Sequence, residues 1–225
     1  MTYWIIFIGI ALASWLVQAN LKRKFEKFSE MPIPNGMTGR DIAIKMLRDN
    51  GIYDVEVTST PGSLTDHYNP MNKTVNLSEG VYDSCSIAAA AVAAHECGHA
   101  VQHAHAYAPL KMRSALVPVV SFASNWVQWI LLIGMLALNA FPEILFVGII
   151  LFALTTLFSF ITLPVEIDAS RRAVNWLNEA GITNYSNHGA AVSALRSAAY
   201  TYVVAALGSL ATLLYYVSIF LGRRE

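Results

Sequence analysis

Charge is scarce in this chain. Of its 225 residues only 13% are Asp, Glu, Lys or Arg, about half the share of an ordinary soluble domain, and 15 basic residues are balanced by 15 acidic ones. The zero net charge by itself singles out no partner, and no nucleic acid is expected as one. Cysteine is scarcer: there are two, Cys85 and Cys97. In a reducing compartment they are not expected to pair, and Cys97 reads as a small buried apolar residue on the far side of its helix from His95. No charged residue falls near the middle of a long apolar run, which argues against a translocation path.

What the chain has is apolar length. Hydrophobic residues make up 55% of it and the mean hydropathy is +0.46. They concentrate in Thr2–Ala19, Leu116–Leu163 and Ala199–Leu221. A span needs about 20 apolar residues, so the outer regions hold one helix each, and the middle holds two joined at Asn139-Ala140-Phe141-Pro142-Glu143. The expected fold is an α-helical multi-pass membrane protein of four spans with a small cytoplasmic α+β unit. Its divisions are an anchor (1–20), a first cytoplasmic segment (21–115), a transmembrane hairpin (116–164), a second cytoplasmic segment (165–198), and a last span with its tail (199–225).

Val17-Gln18-Ala19 looks like a signal-peptide cleavage site, but the positive residues Lys22, Arg23, Lys24 and Lys27 follow the apolar run instead of preceding it. An uncleaved anchor with its N-terminus outside is expected. That orientation places 13 of the 15 basic residues on the cytoplasmic side and leaves Arg223 and Arg224 outside, as the positive-inside rule favours for a plasma-membrane protein.

Within 21–115, Thr38 caps an amphipathic helix that Asn50-Gly51 ends. From Val55 to Leu77 the apolar period becomes two, with turns at Pro61-Gly62 and Asn69-Pro70-Met71-Asn72. This predicts a small antiparallel sheet. An exposed edge of it could pair with an extended peptide, although a sheet that only supports the next helix fits the residues equally well.

That next helix is predicted from about Ser86 to His105 and carries His95-Glu96-Cys97-Gly98-His99. At 3.6 residues per turn the two histidines share a face and can reach one Zn2+ ion. Glu96 lies to the side, where it can act on water as a general base without being a ligand. The small residues Ala93, Ala94, Gly98 and Ala100 leave room for a second chain segment. His103 is one turn beyond His99, too far along the helix to share the ion, and is expected to play a supporting part.

With this motif the small cytoplasmic α+β unit is expected to be a catalytic unit of zincin type, with 21–115 as its catalytic segment, although HExxH by itself is weakly specific. A second cluster, Glu166-Ile167-Asp168, strengthens it at the opening of a helix expected over Ile167–Asn178. Two crossings of the hairpin return this cluster to the face that holds the histidines. On a helix the two carboxylates point about 200° apart, so one of them is the third ligand. Glu166 has the longer reach. Asp168 is the alternative ligand, or supports a ligating histidine through its second ring nitrogen, or pairs with Arg171 or Arg172. His67, Tyr68 and His103 are the residues placed to contact substrate or an oxyanion.

The runs Leu64-Thr-Asp-His-Tyr-Asn-Pro70, Val75-Asn-Leu-Ser78, Ala93 to Gln102, and Leu163 to Ala173 resemble the YugP-like family of bacterial membrane zinc metallopeptidases over nearly the whole chain. A more distant similarity is to HtpX and Ste24-type peptidases, in which glutamate and aspartate stand four residues apart, where here two separate Glu166 from Asp168. The resemblance implies a zinc metallopeptidase without naming its substrate; the expected activity is that of an endopeptidase at the bilayer surface, with protein or peptide substrates, membrane proteins among the candidates. It gives no oligomeric state. The rival reading is a zinc-dependent membrane adaptor or chaperone that binds extended peptides without cutting them.

Overall fold

The computed structural model describes residues 2–222. The basic pair Arg223 and Arg224, counted in the charge asymmetry, lies outside the described residues. Seven helices and three strands follow in the order α1 (Thr2–Ser29), α2 (Gly39–Asp49), β1 (Glu56–Thr60), β2 (His67–Asn69), β3 (Thr74–Ser78), α3 (Glu79–Tyr82), α4 (Ile87–Ala104), α5 (Ala108–Leu136), α6 (Pro142–Glu179) and α7 (His188–Gly222). Four helices, α1, α5, α6 and α7, are long and apolar enough to cross a membrane. They match the four expected spans, and the chain is a multi-pass membrane protein.

The local signals hold where they are chemical. Thr38 and Asp41 form a reciprocal capping box at the start of α2, and Ser86 caps α4 by accepting from the Ala89 N–H. The sheet differs from expectation. Its order is β1-β3-β2, with β3 antiparallel to β2 but parallel to β1. Alternating residues identify strands and say nothing of their direction. Here the connection through Pro61 and Gly62 is long enough to carry the chain past β3, so Val75 and Leu77 of β3 become the buried centre. The short β2 is left as an edge that packs on α4.

A second correction concerns the ligand segment. No new helix starts near Pro164; α6 runs unbroken through Pro164, which lies inside it. A proline in a helix gives up one backbone hydrogen bond. Burial of Val165, Glu166 and Ala169 keeps the helix whole on the far side of it. The expected boundaries at 115/116, 164/165 and 198/199 all fall inside helices, so Glu166 and Asp168 stand on a direct continuation of a span, while His95, Glu96 and His99 stand on the separate helix α4.

Packing explains how two distant motifs meet. A Cβ built on Gly98 would lie 2.7 Å from the Ala169 carbonyl oxygen, so α4 and α6 touch backbone to backbone where any larger residue would force them apart. Gly134 does the same for the α5/α6 hairpin against Leu145. The hairpin brings the C-terminal half of α6 back to the level of α4. Around the contact lies one core that includes Ile42, Met46 and Leu47 of α2, Val75 and Leu77 of β3, Ala93 and Ala94 of α4, and Ala173 and Leu177 of α6.

Candidate metal centre

His95 and His99 of α4 and Glu166 of α6 converge on one point. Glu166 Oε2 lies 3.3 Å from His95 Nε2 and 3.6 Å from His99 Nε2. A tetrahedral zinc with bonds of roughly 2.0–2.1 Å separates its ligand atoms by about 3.3–3.4 Å, close to these two separations, and all three ligand atoms lie within 4.8 Å of one another. Among the described residues this trio is the group of histidine, cysteine and carboxylate side chains able to hold a metal.

The other end of each side chain is also held. His95 Nδ1 is hydrogen-bonded to Ser170 Oγ at 3.1 Å, and His99 Nδ1 to Gln102 Oε1 at 3.1 Å, which leaves both Nε2 atoms for the ion. Gln102, fully buried, donates from Nε2 to Asp168 Oδ2 at 2.9 Å and to the Val165 carbonyl at 2.8 Å. Asp168 is thus one step removed from the expected supporting position: it holds the glutamine that holds His99. It also accepts from Arg172 Nε at 2.6 Å, so the ion pair with Arg172 is present together with the supporting role.

Glu166 is only 3% exposed. An unpaired carboxylate at such a place costs several kcal/mol. Its second oxygen, Oε1, meets Arg113 Nη1 at 3.0 Å, so one oxygen faces the histidines and the other a guanidinium. Burial works against a proton charge on His99, but the neighbouring carboxylates Glu166 and Glu96 outweigh it and hold that imidazole above its ordinary pKa. The same negative charge that favours a proton on His99 favours a dication.

Glu96 sits beside the trio and outside it. Its Oε2 accepts the Tyr68 backbone N–H at 3.1 Å, joining the sheet edge to the motif helix. The Tyr68 hydroxyl is hydrogen-bonded to His103 Nδ1 at 2.8 Å. His67 is exposed, and its Nδ1 lies 2.7 Å from the Thr65 carbonyl oxygen. All these residues line one cavity of about 780 Å³, closed on the other side by the first turns of α5 and by Tyr202 of α7. Cys97 is fully buried away from it, with its thiol pKa pushed up by burial.

Four residues carry more of the site than their sequence context suggested. Gln102 and Ser170 lie inside the two motifs without an assigned part, Arg113 was one basic residue among many, and Tyr202 sits in an apolar run. Only an i, i+3 relation between His99 and Gln102 marked any of them.

A largely buried candidate His-His-Glu metal site, in a cavity lined by α4, α5, α6 and α7, is the kind of site a membrane metallohydrolase carries. The family described as "Putative neutral zinc metallopeptidase" matches residues 3–221, and the chain belongs to it. It is similar to the "Putative membrane protease YugP" of Bacillus subtilis (strain 168), with 44% identity over 225 residues and 98% of each chain covered. No solved structure matches the chain.

Proposed function

We propose that the chain is a membrane-bound zinc endopeptidase that hydrolyses peptide bonds at the cytoplasmic face of the cell membrane, with protein or peptide substrates. The observation that carries the reading is the trio of His95, His99 and Glu166 at metal-ligand spacing, with the Glu96 carboxylate beside it in the same cavity. When bound there, zinc supplies Lewis-acid chemistry, polarising the scissile carbonyl and lowering the pKa of water to about 7. Glu96 takes the proton from the attacking water and returns it to the leaving amine. The Tyr68 N–H fixes one oxygen of Glu96 for this task.

An extended substrate lies along β2 and across the cavity. Arg113, whose guanidinium keeps further N–H donors beside its bond to Glu166, and Tyr202, which also lines the cavity, are our preferred donors to the developing oxyanion. His103 and the Tyr68 hydroxyl are already bonded to each other, and His67 is turned to its own loop.

The test is Glu96→Gln. Purified protein should hold one zinc per chain, and the variant should keep that zinc while cleavage of an unfolded substrate in detergent falls by roughly 10²–10⁴-fold. A variant that cleaves as fast as the parent would overturn the role given to Glu96, and a parent that binds the substrate without cutting it would leave the adaptor reading standing. Orientation is checked by cysteine labelling: positions near Asn139 should react from outside, and positions near Lys73 and Arg172 from inside.

A further inference from the structure

The cavity does not end where α5 enters its apolar run. Leu110, Ser114 and Val117 of α5 line it, and farther along the same helix Gln128 and Leu132 line a second hollow of about 500 Å³ whose opposite wall is Tyr215 and Tyr216 of α7. At 100° per residue, Leu110, Ser114, Val117, Ser121, Gln128 and Leu132 fall within about 60° of one another around α5, so both hollows lie on one helix face. From Val117 to Gln128 that face runs about 16 Å into the span. The adjoining face is spent on packing, with Val120, Ala123, Val127 and Leu131 buried.

This face carries polar groups where hydrocarbon is expected. Ser121, Asn125 and Gln128 are exposed near the middle of the apolar part of α5. Among the described residues neither amide has a hydrogen-bonding partner. Lipid tails offer none, and an unsatisfied amide in hydrocarbon is costly. In membranes such side chains are satisfied by a second helix that hydrogen-bonds across the contact.

We propose that this face seats a transmembrane helix of the substrate, which delivers the chain flanking that helix to His95, His99 and Glu166. The inference rests on the peptidase reading and names its substrate class: membrane proteins with a span, cut just beyond the end of it. A substrate helix is favoured over a second copy because the face is continuous with the cavity at its cytoplasmic end. A helix lying on it leads straight to the site.

The experiment uses the full chain in lipid vesicles and two probes. One is an unfolded Gly/Ser-rich tail joined to a 20-residue Leu/Ala span bearing one Asn; the other is the same tail as a free peptide. Asn125→Leu with Gln128→Leu should leave zinc content and free-peptide cleavage unchanged while cleavage of the anchored probe falls at least tenfold, through KM more than kcat. An equal loss for both probes, or no loss for either, would overturn the proposal. A second measurement reads docking apart from cleavage. In Gln128→Cys combined with Glu96→Gln, the new cysteine should crosslink to a cysteine in the probe's span. Crosslinking between two copies of the chain in its place would make the occupant a second copy and also overturn the proposal. A parent that cleaves neither probe while Gln128→Cys still crosslinks to the span would defeat the peptidase reading and leave the docking face intact.

Discussion

The two sides of the cavity are built differently. On one side, α4 and α6 touch through Gly98 and Ala169, and the ligands stand in a network in which both Nδ1 atoms and both Glu166 oxygens are engaged. On the other, β2 is three residues long and is tied to α4 by the Tyr68 N–H to Glu96 bond and the Tyr68 to His103 bond, while the opening turns of α5 are largely exposed. The buried side has one geometry available to it, because each polar group it holds would be left unsatisfied in any other. The exposed side has little to lose by shifting. A peptidase needs both, since its ligands must be fixed to a few tenths of an ångström while its walls must admit chains of varied sequence.

If that contrast is right, substitutions on the buried side should be far more costly. The largest effect is expected from His95→Ala or His99→Ala. Two remaining protein ligands are too few to hold the ion, so elemental analysis should find zinc lost and cleavage should fall to background. Full occupancy in either variant would refute the site.

Next comes Glu166→Gln against Asp168→Asn. A neutral amide oxygen is a much poorer ligand than a carboxylate, so Glu166→Gln should weaken zinc binding by more than a hundredfold. Asp168→Asn acts through Gln102 and keeps one acceptor oxygen, so a loss of roughly tenfold is expected, the lower end for a group that supports a ligand without touching the metal. Competition with a chelator reads both. The reverse order would exchange the roles of the two carboxylates.

The smallest effect belongs to the exposed side. Tyr68→Phe removes the hydroxyl bonded to His103 but leaves the backbone N–H that holds Glu96. Zinc content should be unchanged and stability should fall by about 0.5–1.5 kcal/mol, the net worth of one hydrogen bond, as read by thermal unfolding. A loss of metal in this variant would show that the two sides are coupled and that the contrast is false.

Several features were legible without coordinates because each depends on residues close together in the chain. The caps at Thr38 and Ser86, the helical spacing of His95 and His99, and the apolar lengths of the four spans are local quantities. Glu166 was reachable by counting membrane crossings. Strand direction was not, because alternation is the same for parallel and antiparallel neighbours. Neither was the unbroken course of α6, because Pro164 is a helix breaker by propensity and the burial that overrides it comes from α4.

By itself, then, the sequence determined which residues could make up one metal site and how many apolar spans separate them, through periodicity and apolar length. Tertiary structure decided which oxygen of Glu166 faces the histidines, that Gln102 stands between Asp168 and His99, and that Arg113 and Tyr202 close the cavity. Those depend on side chains brought together from α4, α5, α6 and α7. Their separations are set by how closely the backbones pack, a quantity no single segment of the chain contains.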